Sequence, residues 1–97
     1  MLNWSRVAEL KDDLGAEDFQ EVTALFLEEV EEKLAALGDA PPADDLHFLK
    51  GSAANLGFEG FRAMCERMEQ MPAAPPVAEL HALYQQSKTA FLEGLQT

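Results

Sequence analysis

The chain has 97 residues, which is enough for one domain over residues 1–97 and too few for a catalytic domain beside a separate binding domain. Apolar residues make up 47% of the chain, but no segment approaches the roughly 20 uninterrupted apolar residues of a membrane-spanning helix. The formal net charge of −11 argues against nucleic acid and acidic membranes as partners, because clustered lysine and arginine bind both.

Glycine and proline residues divide the chain into five segments with helical periodicity, and no stretch has the alternation of a half-buried strand. The first predicted helix runs from about Asn3 to Leu14 and stops at Gly15. It is short, so we expect it to lie across the other helices as a lid. A second helix is predicted from about Glu17 to Leu37. Its apolar stripe consists of Phe19, Val22, Phe26, Val30, Leu34 and Leu37.

The opposite face of the second helix is acidic. A solvated helix face explains this run better than a metal site does, because the run lacks the glycine-containing loop of a calcium site. The acidic residues are Glu17, Asp18, Glu21, Glu28, Glu29, Glu31 and Glu32.

Three further helices are predicted after a turn at residues 39–42. The third helix ends at Leu56 before Gly57, the fourth spans about Phe58 to Met71, and the last spans about Val77 to Leu95. Residues 72–76 are rich in proline and are predicted to be a stiff link. Four substantial helices with short connections predict an all-α fold, an antiparallel up-down-up-down four-helix bundle with a short N-terminal lid helix.

The third helix carries the candidate functional residues. Its buried side consists of Leu46, Leu49, Ala53 and Leu56. A rotation of about 100° per residue then points His47 away from the core, with Lys50, Gly51 and Ala54 on the same exposed face. The other histidine, His81, has no lysine or glycine placed to assist it, and we expect no separate function for it.

Gly51 is the feature of this face that helix stability does not explain. Glycine in the middle of a helix costs about 1 kcal/mol relative to alanine. Its missing side chain leaves room for a molecule to approach the imidazole of His47, and the ammonium of Lys50 suits a phosphoryl group. Geometry alone leaves open an ordinary solvent-facing histidine and a solvated lysine.

Residues 47–58, with the sequence HFLKGSAANLGF, resemble the signature of histidine phosphotransfer (Hpt) domains. In that family the phosphorylated histidine is followed by Lys-Gly-Ser and, further on, by Leu-Gly. The resemblance covers essentially the whole chain, since Trp4, Gly15, Phe19, Phe26, Cys65 and Glu69 also match the pattern.

The resemblance implies a carrier that accepts a phosphoryl group from one receiver-domain aspartate and passes it to another. By this matching, His47 carries the phosphoryl group, Lys50 is its charge partner and Gly51 is the clearance position. The implied partners are receiver domains of response regulators or hybrid histidine kinases. The chain itself needs no cofactor, nucleotide site or kinase activity, and the receiver supplies Mg²⁺. The alternative is a helical module that regulates a kinase or receiver by contact alone.

Four residues are candidates for the docking surface around His47, namely Phe48, Ala54, Phe58 and Leu27. For Phe58, ordinary core packing remains an equal alternative. We expect a monomer. The start of the chain lacks the apolar segment of a signal peptide, which favours the cytoplasm, and Met1 favours a free-standing protein. Cys65 cannot form an internal disulfide and is predicted to be a buried thiol.

Overall fold

The computed structural model describes residues 2–38, 41–71 and 76–95, and the regular secondary structure in these ranges is entirely helical. The five helices are α1 (Trp4–Leu14), α2 (Ala16–Ala36), α3 (Ala43–Leu56), α4 (Glu59–Gln70) and α5 (Val77–Leu95). The predicted helices are confirmed, with ends that differ by at most one residue. Residues 39 and 40 of the predicted turn lie outside the described residues. Residues 72–75 of the predicted proline-rich link also lie outside them.

Helices α2 to α5 form the antiparallel four-helix bundle that the sequence predicts, and α1 packs on α2 and α3 as a lid. The bundle is elongated, with principal extents of 40 × 20 × 18 Å. None of the described helices is both long and apolar enough to cross a membrane.

Gly57 follows the end of α3 and contacts the start of the lid helix α1. Its φ of +78° is the left-handed conformation that ends a helix at low cost in glycine. Its carbonyl accepts a hydrogen bond of 2.7 Å from the backbone N–H of Asn3. A Cβ at this position would lie 2.7 Å from the Asn3 carbonyl oxygen, so the close approach of α1 also requires glycine.

The core lies along the bundle axis and is rich in aromatic rings. Phe58 meets Phe91 edge to face with ring centroids 5.3 Å apart, and Phe61 meets Tyr84 in the same manner at 5.5 Å. Trp4 of the lid stacks on Phe91 at 6.3 Å. These contacts tie α1, α4 and α5 together around the end of α3.

The buried stripe of α2 differs from the predicted one. Thr23 and Leu27 are buried, whereas Val22, Phe26 and Leu37 are only half-buried. The predicted stripe contained only the apolar residues of a single helical line. Because α2 packs against both α1 and α3, its buried arc is wider than that line and includes a threonine.

Candidate functional site

Helix α3 presents His47 to solvent. Leu46, Leu49 and Leu56 are buried on the opposite side of the helix and fix its rotation. The imidazole of His47 is 77% exposed as a result. This orientation is the one predicted from the helical periodicity.

Glu69 of α4 lies beside this histidine. Its Oε1 atom is 3.8 Å from Nδ1 of His47, and its Oε2 atom is 3.4 Å from Nζ of Lys50. The Oε1 atom is buried and has no hydrogen-bond partner among the described residues. The carboxylate is therefore held between an imidazole and an ammonium, with one oxygen free to accept a hydrogen bond.

Glu69 was not among the predicted site residues, although it belongs to the resemblance. One signal in the sequence could have found it. Glu69 follows Cys65 by four residues, and Cys65 is on the apolar stripe of α4. A glutamate one turn along a buried stripe must reach a partner, because a buried charge is costly when unpaired.

Lys50 is on the predicted side of α3 but in a different environment from the expected one. Its side chain is 26% exposed and donates to Glu69, so it is not a freely mobile solvated ammonium. The long aliphatic stem of lysine lies against the bundle while its charged end reaches the carboxylate.

Gly51 and Ala54 are both exposed, as predicted. A Cβ placed on Gly51 would meet no atom within 4 Å outside its own helix backbone, so the protein itself does not need the missing side chain for packing. The space next to His47 is therefore open to another molecule.

Of the four predicted docking residues, Phe48 and Ala54 are exposed and two are not. Phe48 is 40% exposed, and Nζ of Lys33 lies 5.4 Å from its ring centroid. The prediction is wrong for Leu27, which is 8% exposed in the wide buried arc of α2. Phe58 is 1% exposed, so the alternative of ordinary core packing holds for it. The turn at Gly57 directs Phe58 inward against the core rings.

Cys65 lies under the site as a buried free thiol, as predicted. Burial raises its pKa to about 12, and the carboxylate of Glu69 adds to this rise. The thiol therefore stays protonated and unreactive near neutral pH. The second histidine, His81, is half-buried on α5 beside Tyr84 and Gln85, away from the α3 face.

The family model of the Hpt domain matches residues 21–90 of this chain, and the chain belongs to that family. Two similar proteins are the phosphorelay protein LuxU of Vibrio vulnificus strain YJ016 and that of strain CMCP6. Each is 35% identical over 72 residues, which cover 67% of this chain and 60% of the relative. The chain thus spans less than two thirds of the length of these curated relatives. No solved structure gives a significant match.

Proposed function

We propose that this chain is a histidine phosphotransfer carrier that takes a phosphoryl group onto His47 from the aspartate of one receiver domain and gives it to another. The observation that carries the proposal is the placement of Glu69, with one buried carboxylate oxygen 3.8 Å from Nδ1 of a histidine that is otherwise exposed. Membership of the Hpt domain family and the similarity to phosphorelay proteins support the same function.

The geometry favours Nε2 of His47 as the attacking atom. Nδ1 is on the side of the ring that faces Glu69, so Nε2 is on the solvent side. The Nε2 lone pair attacks phosphorus in line, the new N–P bond forms, and the bond from phosphorus to the aspartate oxygen breaks as that carboxylate leaves. Nδ1 keeps its proton, the ring becomes positively charged, and the Glu69 carboxylate offsets this charge.

The chain provides position and charge, and the receiver provides the rest of the chemistry. The open space over Gly51 and Ala54 admits the loops around the receiver aspartate, and Phe48 offers an apolar contact beside them. Lys50 follows His47 by three residues on the same helix, so its ammonium can turn from Glu69 toward the phosphoryl oxygens. Mg²⁺ and the acyl phosphate arrive with the receiver, so the chain acts as a carrier rather than as a kinase.

The proposal includes a monomer in the cytoplasm. The net charge of −11 repels a second copy and supports the monomeric state.

The test is to incubate the purified protein with a panel of phosphorylated receiver domains. We expect acid-labile, base-stable phosphate on the protein, absent in His47→Gln and unchanged in the control His81→Gln. ATP alone should give no labelling. Labelling by ATP alone, or full labelling of His47→Gln, would overturn the proposal. Stable receiver binding without phosphate on the protein would instead identify a regulator that acts by contact.

A further inference from the structure

A groove runs along the seam where α2 and α5 close the bundle, and nothing in the proposed phosphotransfer uses it. Its largest part has a volume of about 510 Å³, and two adjoining parts of about 170 Å³ each extend it toward the two ends of the seam. We call it the α2–α5 groove. Its main lining residues are Ala24, Leu27, Glu28, Glu31, Lys88 and Leu92.

Small and polar side chains keep this seam open. Ala24 and Ala35 of α2 line the groove with methyl side chains. The helices are joined instead by polar contacts at the middle of the seam, where Glu31 accepts hydrogen bonds of 2.8 Å from the Tyr84 hydroxyl and 2.6 Å from Lys88 Nζ. The groove extends on both sides of this bridge.

The end of the groove next to α1 is apolar. Phe19, Leu27 and Leu92 line this part, and Leu92 and Leu95 are among the exposed large apolar residues of the chain. Thr23, which is only 5% exposed, lines the same part. Its Oγ1 atom is buried without a hydrogen-bond partner in the part of the chain that the structure describes. This end of the groove therefore offers apolar contacts rather than hydrogen bonds to a bound group.

The rim of the groove is acidic and favours a positively charged partner. Glu28 and Glu32 border it, and Lys88, the one lysine among the described residues that line it, is already bound to Glu31. A second copy of the chain would bring another net charge of −11 to this acidic edge and would be repelled. The occupant that fits is a helix with an apolar ridge for Ala24, Leu92 and Leu95, flanked by lysine or arginine for the glutamates.

We propose that the α2–α5 groove is a second docking site, which binds a basic amphipathic helix of a partner protein. This inference goes beyond the proposed function and does not depend on it. The residues that line the groove come from α2 and α5, whereas His47 and Gly51 are on α3 and Glu69 is on α4. A partner held in the groove therefore leaves the face around His47 open to a receiver domain.

The test uses a synthetic helical peptide of ~18 residues, or about five turns, with leucine at the i, i+3, i+4 and i+7 positions and lysine on the flanks. A matched peptide carries glutamate in place of lysine. The protein is the full chain, isotope-labelled for amide chemical shifts. We expect the lysine peptide to bind and to shift the amides of α2 and α5, and the glutamate peptide not to bind.

Two neighbouring exposed residues of α2 provide the variants. Ala24→Gln places a neutral side chain in the groove and should weaken peptide binding by about tenfold or more. Leu25→Gln removes an exposed apolar side chain outside the groove and should leave binding unchanged. His47→Gln should also bind normally, which separates this site from phosphotransfer.

Several results would overturn the proposal. These are no binding of the lysine peptide, equal binding of the two peptides, unchanged affinity of Ala24→Gln, or shifts confined to the α3 face around His47. Sedimentation that detects a dimer lost in Ala24→Gln would assign the groove to a second copy and would also reject a partner helix.

Discussion

Glu69 and His47 face each other from neighbouring helices, with Oε1 of the carboxylate 3.8 Å from Nδ1 of the imidazole. This distance exceeds the about 2.7–3.2 Å of a hydrogen bond, so the carboxylate acts on the ring through its charge at this separation. The interaction gains strength when the ring becomes positively charged. Glu69 therefore stabilises the positively charged ring through its own negative charge, and this effect is largest while His47 carries the phosphoryl group.

The first prediction is that Glu69→Gln slows phosphoryl transfer onto His47 by about tenfold, or ~1.4 kcal/mol. The substitution keeps the shape and removes the charge, and a charge pair at this separation is worth about 1 kcal/mol where solvent screens it, as it does at the 77% exposed His47. The phosphorylated form should also lose its phosphate faster. Rates and lifetimes are measured with one phosphorylated receiver.

Glu66→Gln is the matched control for this charge. Glu66 is on the same helix and pairs with Arg62, so its loss should change the melting temperature slightly and the transfer rate not at all. Equal slowing in both variants would mean that the overall charge of α4, not the contact with His47, determines the rate.

The second prediction concerns Lys50, which pairs with the other oxygen of Glu69 at 3.4 Å. Lys50→Ala should slow transfer severalfold without removing the acceptor, because a solvent-screened charge contributes at most about 1 kcal/mol. The difference from the wild type should shrink as salt is added. Lys11→Ala, at an exposed lysine of α1, is the control and should transfer normally. A wild-type rate for Lys50→Ala at low salt would remove Lys50 from the site.

Much of the fold could be predicted because one physical rule covers it. The helical period of the apolar residues predicts the five helices and the rotation of α3. Gly15 and Gly57 predict two of the helix ends, and both glycines have a positive φ in the structure. The exposed position of His47 follows from the same period.

The parts that could not be predicted depend on contacts between helices. The side on which Phe58 lies is decided by the turn at Gly57 and by the rings of Tyr84 and Phe91, and the period of one helix contains neither. Glu69 meets His47 and Lys50 only once α4 has packed on α3, across 19 residues of sequence from Lys50. A periodic pattern predicts which way a side chain points and not what it meets there.

The third prediction uses the polar bridge between α2 and α5. The hydrogen bond from Lys88, together with that from Tyr84, lowers the pKa of Glu31 below its usual 4.5. A lowered carboxyl pKa stabilises the fold above about pH 4.5, and this stability is lost as the pH falls through the folded-state pKa. Lys88→Ala should therefore lower the melting temperature at neutral pH, with a smaller difference from the wild type in acid.

Thermal unfolding followed at several pH values between neutral and acid measures this effect. Lys11→Ala is the control, because Lys11 is an exposed lysine of the lid. The difference in melting temperature between Lys11→Ala and the wild type should not change with the titration of Glu31. If the melting temperature of Lys88→Ala stayed equally far below that of the wild type in acid, the lysine would act by packing and not through the charge of Glu31.

The last prediction separates fold from function at Gly51. Glutamine is a better helix former than glycine, and a Cβ at this exposed position meets nothing within 4 Å. Gly51→Gln should therefore keep the stability of the wild type or raise it by up to about 1 kcal/mol. Transfer should nevertheless fall sharply, since the new side chain occupies the path of a receiver to His47, and a displacement of about 1 Å can cost on the order of a hundredfold in rate.

The melting temperature and the transfer rate of Gly51→Gln are measured on one sample, with Ala82→Gln as the control. Ala82 is exposed on α5, so the same added side chain there should leave transfer unchanged. A folded Gly51→Gln protein with wild-type transfer would mean that receivers do not pass over this position. An unfolded one would mean that Gly51 packs against other helices, where overpacking costs about 1–3 kcal/mol. Only the combination of intact stability and lost transfer fits a glycine that leaves room for a partner.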